Sequence, residues 1–401
     1  MIRPARRVFL NPMPDELKAL TRLTFEELGL AAGGIGQVHR AIADRAFGAA
    51  GSGPPRAIHD AIAGGVYAGL RGAAGLTGRA AGAAFTGRGR SLSVTPRGAL
   101  VLAVLNGLRG DALEREGSDL AEAMCIRVGG RPVAPTEFPD AGPRLVVFLH
   151  GLFETEHAWH WGGGETYGSR LARDLGATPV YVRFNTGRHI SENGQSLSEL
   201  LDEVVAEWPV PVEQIALVGH SMGGLVARSA CCLGGEWTSL VRHTVTLGTP
   251  HTGAPLESAV HYAAAALGAV GETRPLAGFL RRRSAGIRDL RSGSLVDEDW
   301  RDRDPEALRA AACKEVPLLE GVAHHFVAAT ITSSASHPVA RLCGDWLVLQ
   351  PSASGRSRTR VIGFRDEDGI HVGGTHHLAL LNHPAVYEQL LAWLGRAPRS
   401  G

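Results

Sequence analysis

Lysine is nearly absent from this chain of 401 residues: Lys18 and Lys314 are the only two, so almost all of its basic charge is arginine. Basic and acidic residues balance to a formal net charge of +1, which leaves no overall polycation for nucleic acid. With so many alanines and glycines, the arginine preference reads as the coding bias of a GC-rich genome rather than selection for phosphate binding. Cysteine is scarce too. Cys125, Cys231, Cys232, Cys313 and Cys343 are odd in number and contain no C-x-x-C pair, so neither a disulfide framework nor a zinc site is indicated. Long apolar runs are also missing, because Arg71 and Arg79 interrupt the small-residue stretch before it reaches the length of a membrane span. The N-terminus is basic, yet Asn11, Pro12, Asp15 and Glu16 arrive before any apolar signal core could form. A reducing cytoplasm is the expected compartment, with no cleavable export signal.

Two textures divide the chain. Residues 1–120 carry helical patterns and many glycines, with no convincing strand. Thr24 and Glu27 have the spacing of a capping box. From Arg56 to Arg109 seven arginines face one acid, Asp60, within apolar small-residue sequence. Two readings fit this region. One is a basic amphipathic surface resting on anionic lipid, a peripheral membrane contact through residues 56–109. The other is a helical subdomain packed through alanine and glycine with its arginines in solvent. Glycine costs about 1 kcal/mol per helical site, so helices of this composition depend on docking to the rest of the protein.

From residue 121 to 401 strands alternate with helices, the pattern of a mostly parallel α/β sheet with helices on both faces. Ala123–Val128 and Arg131–Val133, separated by Gly129-Gly130, predict a hairpin, since paired glycines suit the positive φ of a two-residue turn. Strands are expected over Leu145–Leu149, Thr178–Arg183, Gln214–Val218, His243–Leu247, Phe326–Ile331 and Arg360–Phe364. A helix is expected over Leu197–Trp208, with Ser196 and Glu199 as its cap and box partner. A last helix begins at Asn382-His383-Pro384 and would bury Val386, Leu390, Trp393 and Leu394.

The chemistry gathers around Gly219-His220-Ser221-Met222-Gly223, which follows an apolar strand and precedes an Ala/Leu-containing helix, Leu225 to Leu233. This G-x-S-x-G turn holds its serine in a strained conformation that lifts the hydroxyl out of the sheet. Such a serine needs a base, and the base needs an orienting acid. Where this turn occurs the chain order is serine, acid, histidine. Asp345, in Gly344-Asp345-Trp346-Leu347-Val348, is the expected acid, with Asp366, Glu367 and Asp368 competing from a loop that looks like a solvated acidic turn. His377 is the expected base, because the Leu-x-Leu-Leu after it would anchor its direction. His376 competes, and His383 beside Pro384 reads as a helix-start residue. One oxyanion donor would be the amide of Met222. The other would be the amide of Leu152, in the loop His150-Gly151-Leu152-Phe153, with Gly151 letting the backbone turn and His150 bonding nearby backbone.

Taken with Gly248-Thr249-Pro250-His251, these segments resemble the α/β-hydrolase lipases. They are similar to the bacterial triacylglycerol lipase group and to the inositol-deacylase-like branch that shares the Gly-Thr-Pro-His segment. The resemblance spans about residues 140–395 and leaves residues 1–120 aside. The acid loop reads Gly-Asp-Trp where that family often has Gly-Asp-Gly. The resemblance implies a helical cap over the acyl pocket, here an insertion between about 253 and 316 holding apolar Tyr262–Val270, Pro275 to Leu280 and a solvated turn at Arg281-Arg282-Arg283. An apolar face there would suit a hydrophobic small-molecule ester. The expected activity is carboxylic-ester hydrolysis through an acyl-enzyme, with no metal and no organic cofactor. An acyltransferase using the same acyl-enzyme, or an inactive scaffold recruited to a membrane or a partner, are the alternatives.

Overall fold

The run Arg-Leu-Val-Val-Phe-Leu at residues 144–149 has no polar alternation after its first residue, and a strand of that kind must be buried on both faces. In the computed structural model, which describes residues 92–254, 283–305, 307 and 312–395, it forms strand β3 (Arg144–Leu149) at the centre of an eight-stranded sheet. Leu145, Val147 and Leu149 join the core on one face, while Val146 and Phe148 join the core on the other, as a side-chain period of two requires.

The other strands are β1 (Cys125–Val128), β2 (Arg131–Val133), β4 (Thr178–Arg183), β5 (Gln214–His220), β6 (Val241–Leu247), β7 (Ala323–Thr330) and β8 (Gly369–Gly373). Their order is β2-β1-β4-β3-β5-β6-β7-β8. The hairpin β1–β2 and the β1–β4 pair are antiparallel and the remaining pairs parallel. Gly129 and Gly130 supply the positive φ the hairpin turn needs. The chain leaves β3 for β4 on one side and returns to β5 on the other, so the loops after β3 and β5 diverge and open a crevice at their carboxyl ends.

Five helices of nine residues or more lie around the sheet among the described residues: α1 (Pro96–Arg115), α2 (Tyr167–Leu175), α3 (Ile190–Glu207), α4 (Met222–Leu233) and α5 (Pro384–Leu394). Helices α3 and α4 cover one face through Leu197, Leu201, Val204, Leu225 and Val226. Helices α2 and α5 cover the other, with Val386, Leu390, Trp393 and Leu394 buried at the expected spacing. His383 caps α5 by accepting from the Ala385 amide. Among the described residues, no helix is long and apolar enough to cross a membrane.

Helix α1 is docked onto the α/β domain. Asn106 donates to the Leu102 and Leu120 carbonyls and accepts from the Glu122 amide, Asn185 donates to the Gly110 carbonyl, and Ser284 donates to the Gly107 carbonyl. Its outer face leaves Leu100, Val101, Val104 and Leu108 exposed. Beneath it, Arg183 at the end of β4 is fully buried, forks onto the Glu156 carboxylate with two bonds of 2.6 Å and reaches the Ser93 carbonyl.

Three local expectations are corrected. The last strand is Gly369–Gly373, not Arg360–Phe364: Ile362 and Phe364 pack on Phe326 from outside the sheet, while Gly369 admits the Phe326 ring, where a Cβ would meet its Cζ at 2.1 Å. Helix α3 begins at Ile190, well before Leu197. Its start is fixed by Glu192 accepting from the His189 amide and Asp289 accepting from the Ile190 amide, and the second of these contacts is distant in sequence. Arg283 is buried rather than solvated, because Ser284 beside it is held against α1. Cys232 is exposed and Cys231 only half-buried, near the C-terminal end of α4. The capping pair Thr24 and Glu27, the arginine-rich stretch up to residue 91, and the cap segments Tyr262–Val270, Pro275 to Leu280, Arg281 and Arg282 lie outside the described residues.

Candidate active site

Strand β5 ends at His220, α4 starts at Met222, and Ser221 between them is held at φ 51°, ψ −120°. A non-glycine residue at positive φ is costly, and here the surroundings impose it. A Cβ on Gly219 would sit 2.4 Å from the Gly224 amide nitrogen, and one on Gly223 would sit 2.3 Å from the Leu149 carbonyl oxygen, so strand and helix meet too closely for side chains at those positions. The Ser221 amide donates to the Leu247 carbonyl, 2.8 Å, which ties the turn to the end of β6.

Asp345 and His377 come together from loops after β7 and β8. The Nδ1 of His377 donates to Asp345 Oδ2 at 2.7 Å, and both residues are buried. The other carboxylate oxygen, Oδ1, accepts from the amides of Leu347 and Val348 at 3.0 and 2.8 Å. The His377 amide in turn donates to the Asp345 carbonyl at 3.0 Å. The imidazole packs on the backbone of Gly248, next to Leu247, so it flanks the same turn that receives the Ser221 amide. Its outer nitrogen, Nε2, is buried and without a hydrogen-bond partner among the described residues; no hydrogen bond joins it to Ser221 in this structure.

The competing residues are engaged elsewhere. Asp366 pairs with Arg356, while Asp368 and Glu367 pair with Arg365. His376 is exposed, its ring edge-on to Trp161 at 6.0 Å. Trp346, at the departure from Gly-Asp-Gly, sits at φ 87° with 63% of its surface exposed.

The loop after β3 faces the serine: a Cβ on Gly151 would come within 3.0 Å of the Ser221 Cβ. The amides of Leu152 and Met222 donate to no protein group among the described residues. His150 is fully buried and neutral in its contacts, donating from Nδ1 to the Gly151 carbonyl and accepting at Nε2 from the Phe184 amide. Burial pushes its pKa down to about 4.

One residue here was not anticipated. Glu154 Oε2 accepts from the Gly151 amide at 2.7 Å and from His220 Nδ1 at 3.0 Å. The signal in the sequence was a carboxylate placed three residues after Gly151, directly after apolar Leu152-Phe153. Among the described residues no cluster of three or more His, Cys, Asp or Glu side chains is arranged to hold a metal ion.

Residues 144–267 match the model of the PGAP1-like alpha/beta domain family. The order and direction of the strands are those of the α/β-hydrolase fold. Among solved structures, the chain is similar to the mature lipase BlEst2 of Bacillus licheniformis, at 19% identity and a TM-score of 0.41 over 68% of this chain and 98% of that one. It is similar to lipase B of Aspergillus fumigatus at 10% identity and TM-score 0.41, over 65% and 55% of the two chains. It is also similar to an esterase of Pyrobaculum calidifontis at 14% identity and TM-score 0.37, over 65% and 76%. No curated protein matches the sequence.

Proposed function

We propose that this protein is a serine carboxylic-ester hydrolase of the lipase/esterase type that works through an acyl-enzyme, with Ser221 as nucleophile, His377 as base and Asp345 as its orienting acid. The observation that carries the reading is the buried Asp345–His377 pair, whose outer nitrogen is unpartnered and whose ring packs on Gly248, next to the Leu247 carbonyl that holds the amide of Ser221, a serine at positive φ on a strand-to-helix turn. With Asp345 accepting from Nδ1, the proton of the neutral imidazole resides on Nδ1, and Nε2 keeps the lone pair a general base needs.

In the acylation step Ser221 Oγ bonds to the ester carbonyl carbon as its proton passes to His377 Nε2. Negative charge moves onto the carbonyl oxygen, where the amides of Leu152 and Met222 are free to meet it. Each such donor contributes about 2.7–4 kcal/mol in a comparable site. Collapse expels the alcohol, which takes the proton from Nε2. Water then repeats the sequence on the acyl-enzyme and releases the acid.

Apolar groups beside the pair support a hydrophobic ester as substrate: Trp161 packs against His376, and Trp346 and Leu347 follow Asp345, all partly or largely exposed. A fluorophosphonate probe followed by peptide mass spectrometry tests the assignment. Modification of the Ser221 peptide in folded protein, absent in Ser221→Ala, is expected. Folded protein that hydrolyses no p-nitrophenyl ester and takes up no probe would refute it.

A further inference from the structure

We propose that Glu154 and His220 form a buried ion pair that positions both the oxyanion loop and the base, acting through Gly151 and His377 rather than on the substrate. The proposal rests on the serine-hydrolase reading and adds a positioning pair to that site.

His220 is fully buried, and each of its ring nitrogens faces an oxygen: Nδ1 meets Glu154 Oε2 at 3.0 Å, and Nε2 meets the His377 carbonyl oxygen at 3.3 Å. A carbonyl oxygen only accepts, so Nε2 donates. Oε2 already accepts from the Gly151 amide, so a carboxylate there calls for a donor at Nδ1 as well. Both contacts are hydrogen bonds when the ring is an imidazolium and Glu154 a carboxylate. The ionisation directions agree. Burial works against both charges, but the attraction between the two groups and their shared hydrogen bond outweigh it. Glu154 is held below the ordinary carboxylate value and His220 above the ordinary imidazole value. The other titratable groups facing the pair are His150 on the Glu154 side and Asp345 and His377 on the His220 side, with the edge of Trp159 closing the pocket.

The pair spans the site. One end fixes the Gly151 amide, next to the Leu152 amide proposed to receive the oxyanion and against the Ser221 Cβ. The other end fixes the backbone of His377. That residue is then restrained at its amide by the Asp345 carbonyl, at its carbonyl by His220, and at its ring by the Asp345 carboxylate. Because Gly151 donates to Glu154, its amide is not free for substrate. That leaves Leu152 and Met222 as the oxyanion donors. His220 directly precedes the nucleophile, so a displacement of its ring is transmitted to Ser221 through one peptide bond.

Two measurements on the full chain test this. In a nitrogen-15 histidine spectrum of the wild type at neutral pH, both ring nitrogens of His220, assigned by difference from His220→Gln, are expected to be protonated. A neutral single-tautomer ring overturns the proposal. In Glu154→Gln, which keeps the shape and removes the charge, the imidazolium signature should disappear. Its kcat should fall about tenfold to a hundredfold with KM within about twofold, the result expected of misplaced groups rather than lost binding. Wild-type kcat in folded Glu154→Gln, judged by circular dichroism, also overturns it. Failure of the wild type to react with fluorophosphonate counts against the hydrolase reading instead, and the two failures are thereby distinguished.

Discussion

Replacing Asp345 by asparagine exchanges one oxygen for an NH2 group, and the loop dictates which end of the new amide faces His377. Oδ1 receives the amides of Leu347 and Val348, so the remaining oxygen of the asparagine must stay there. Turning the amide round would set the buried Val348 N–H and the Leu347 N–H against an NH2 group, at a cost of about 1–3 kcal/mol for the buried donor alone. The NH2 group therefore points at Nδ1 of His377, which must then accept. The imidazole proton moves to Nε2, the atom that should take the proton of Ser221. The base is lost without any change of shape. The equivalent exchange in a well-studied Ser-His-Asp enzyme lowers kcat about 10⁴-fold, which is about 5 kcal/mol of barrier at 1.36 kcal/mol per tenfold. We expect a loss of that order in p-nitrophenyl ester hydrolysis, with little change in KM. Asp368→Asn, whose carboxylate serves Arg365, should keep wild-type kcat. An Asp345→Asn enzyme within about tenfold of wild type would refute the tautomer argument.

His377→Ala should abolish ester hydrolysis nearly as completely as Ser221→Ala, whereas His376→Ala should keep it; the reverse result would move the base by one position. Trp346→Gly places a residue that tolerates positive φ where φ is 87°, and should raise the denaturant midpoint by about 1 kcal/mol of stability. Gly223→Ala should destabilise by more than that, since its Cβ would lie 2.3 Å from a backbone oxygen; an unchanged midpoint would show that the strand–helix contact can give. The buried rings of His150, His243 and His325 are pushed down to about 4, chiefly by burial, and His251 is lowered in the same way. Their folded values lie below the unfolded value of about 6.5, so between these limits the unfolded chain binds more protons and stability falls as pH is lowered. At about pH 5 each of the three rings should cost about 2 kcal/mol relative to pH 7. His220, raised, acts in the opposite sense. A urea midpoint that stays level from neutral pH down to about 5 would contradict this.

The parts of the molecule legible in the sequence are those set by short-range rules. The G-x-S-x-G turn could be read because glycines at 219 and 223 and a strained serine are local requirements of a strand running into a helix. The β1–β2 hairpin and helix α5 were equally visible, one through Gly129-Gly130 and the other through the spacing of Val386, Leu390, Trp393 and Leu394. The last strand was misread because Gly369–Gly373 has little β propensity of its own and owes its place to pairing with β7. The start of α3 was misplaced because Asp289, which receives the Ile190 amide, is 99 residues away.

What the chain alone determined is the turn that presents Ser221, the chain order in which an acid and a histidine follow it, and the alternation of strands and helices that carries them. The turn and the alternation follow from backbone sterics and side-chain periodicity over a few residues, and the order from the pattern that accompanies such a turn. Only the tertiary structure decided that Asp345 faces His377, that Glu154 joins Gly151 to His220, and that Arg183 is buried on Glu156. These contacts connect residues 32, 66 and 27 positions apart, and their geometry depends on how the sheet sets one loop against another.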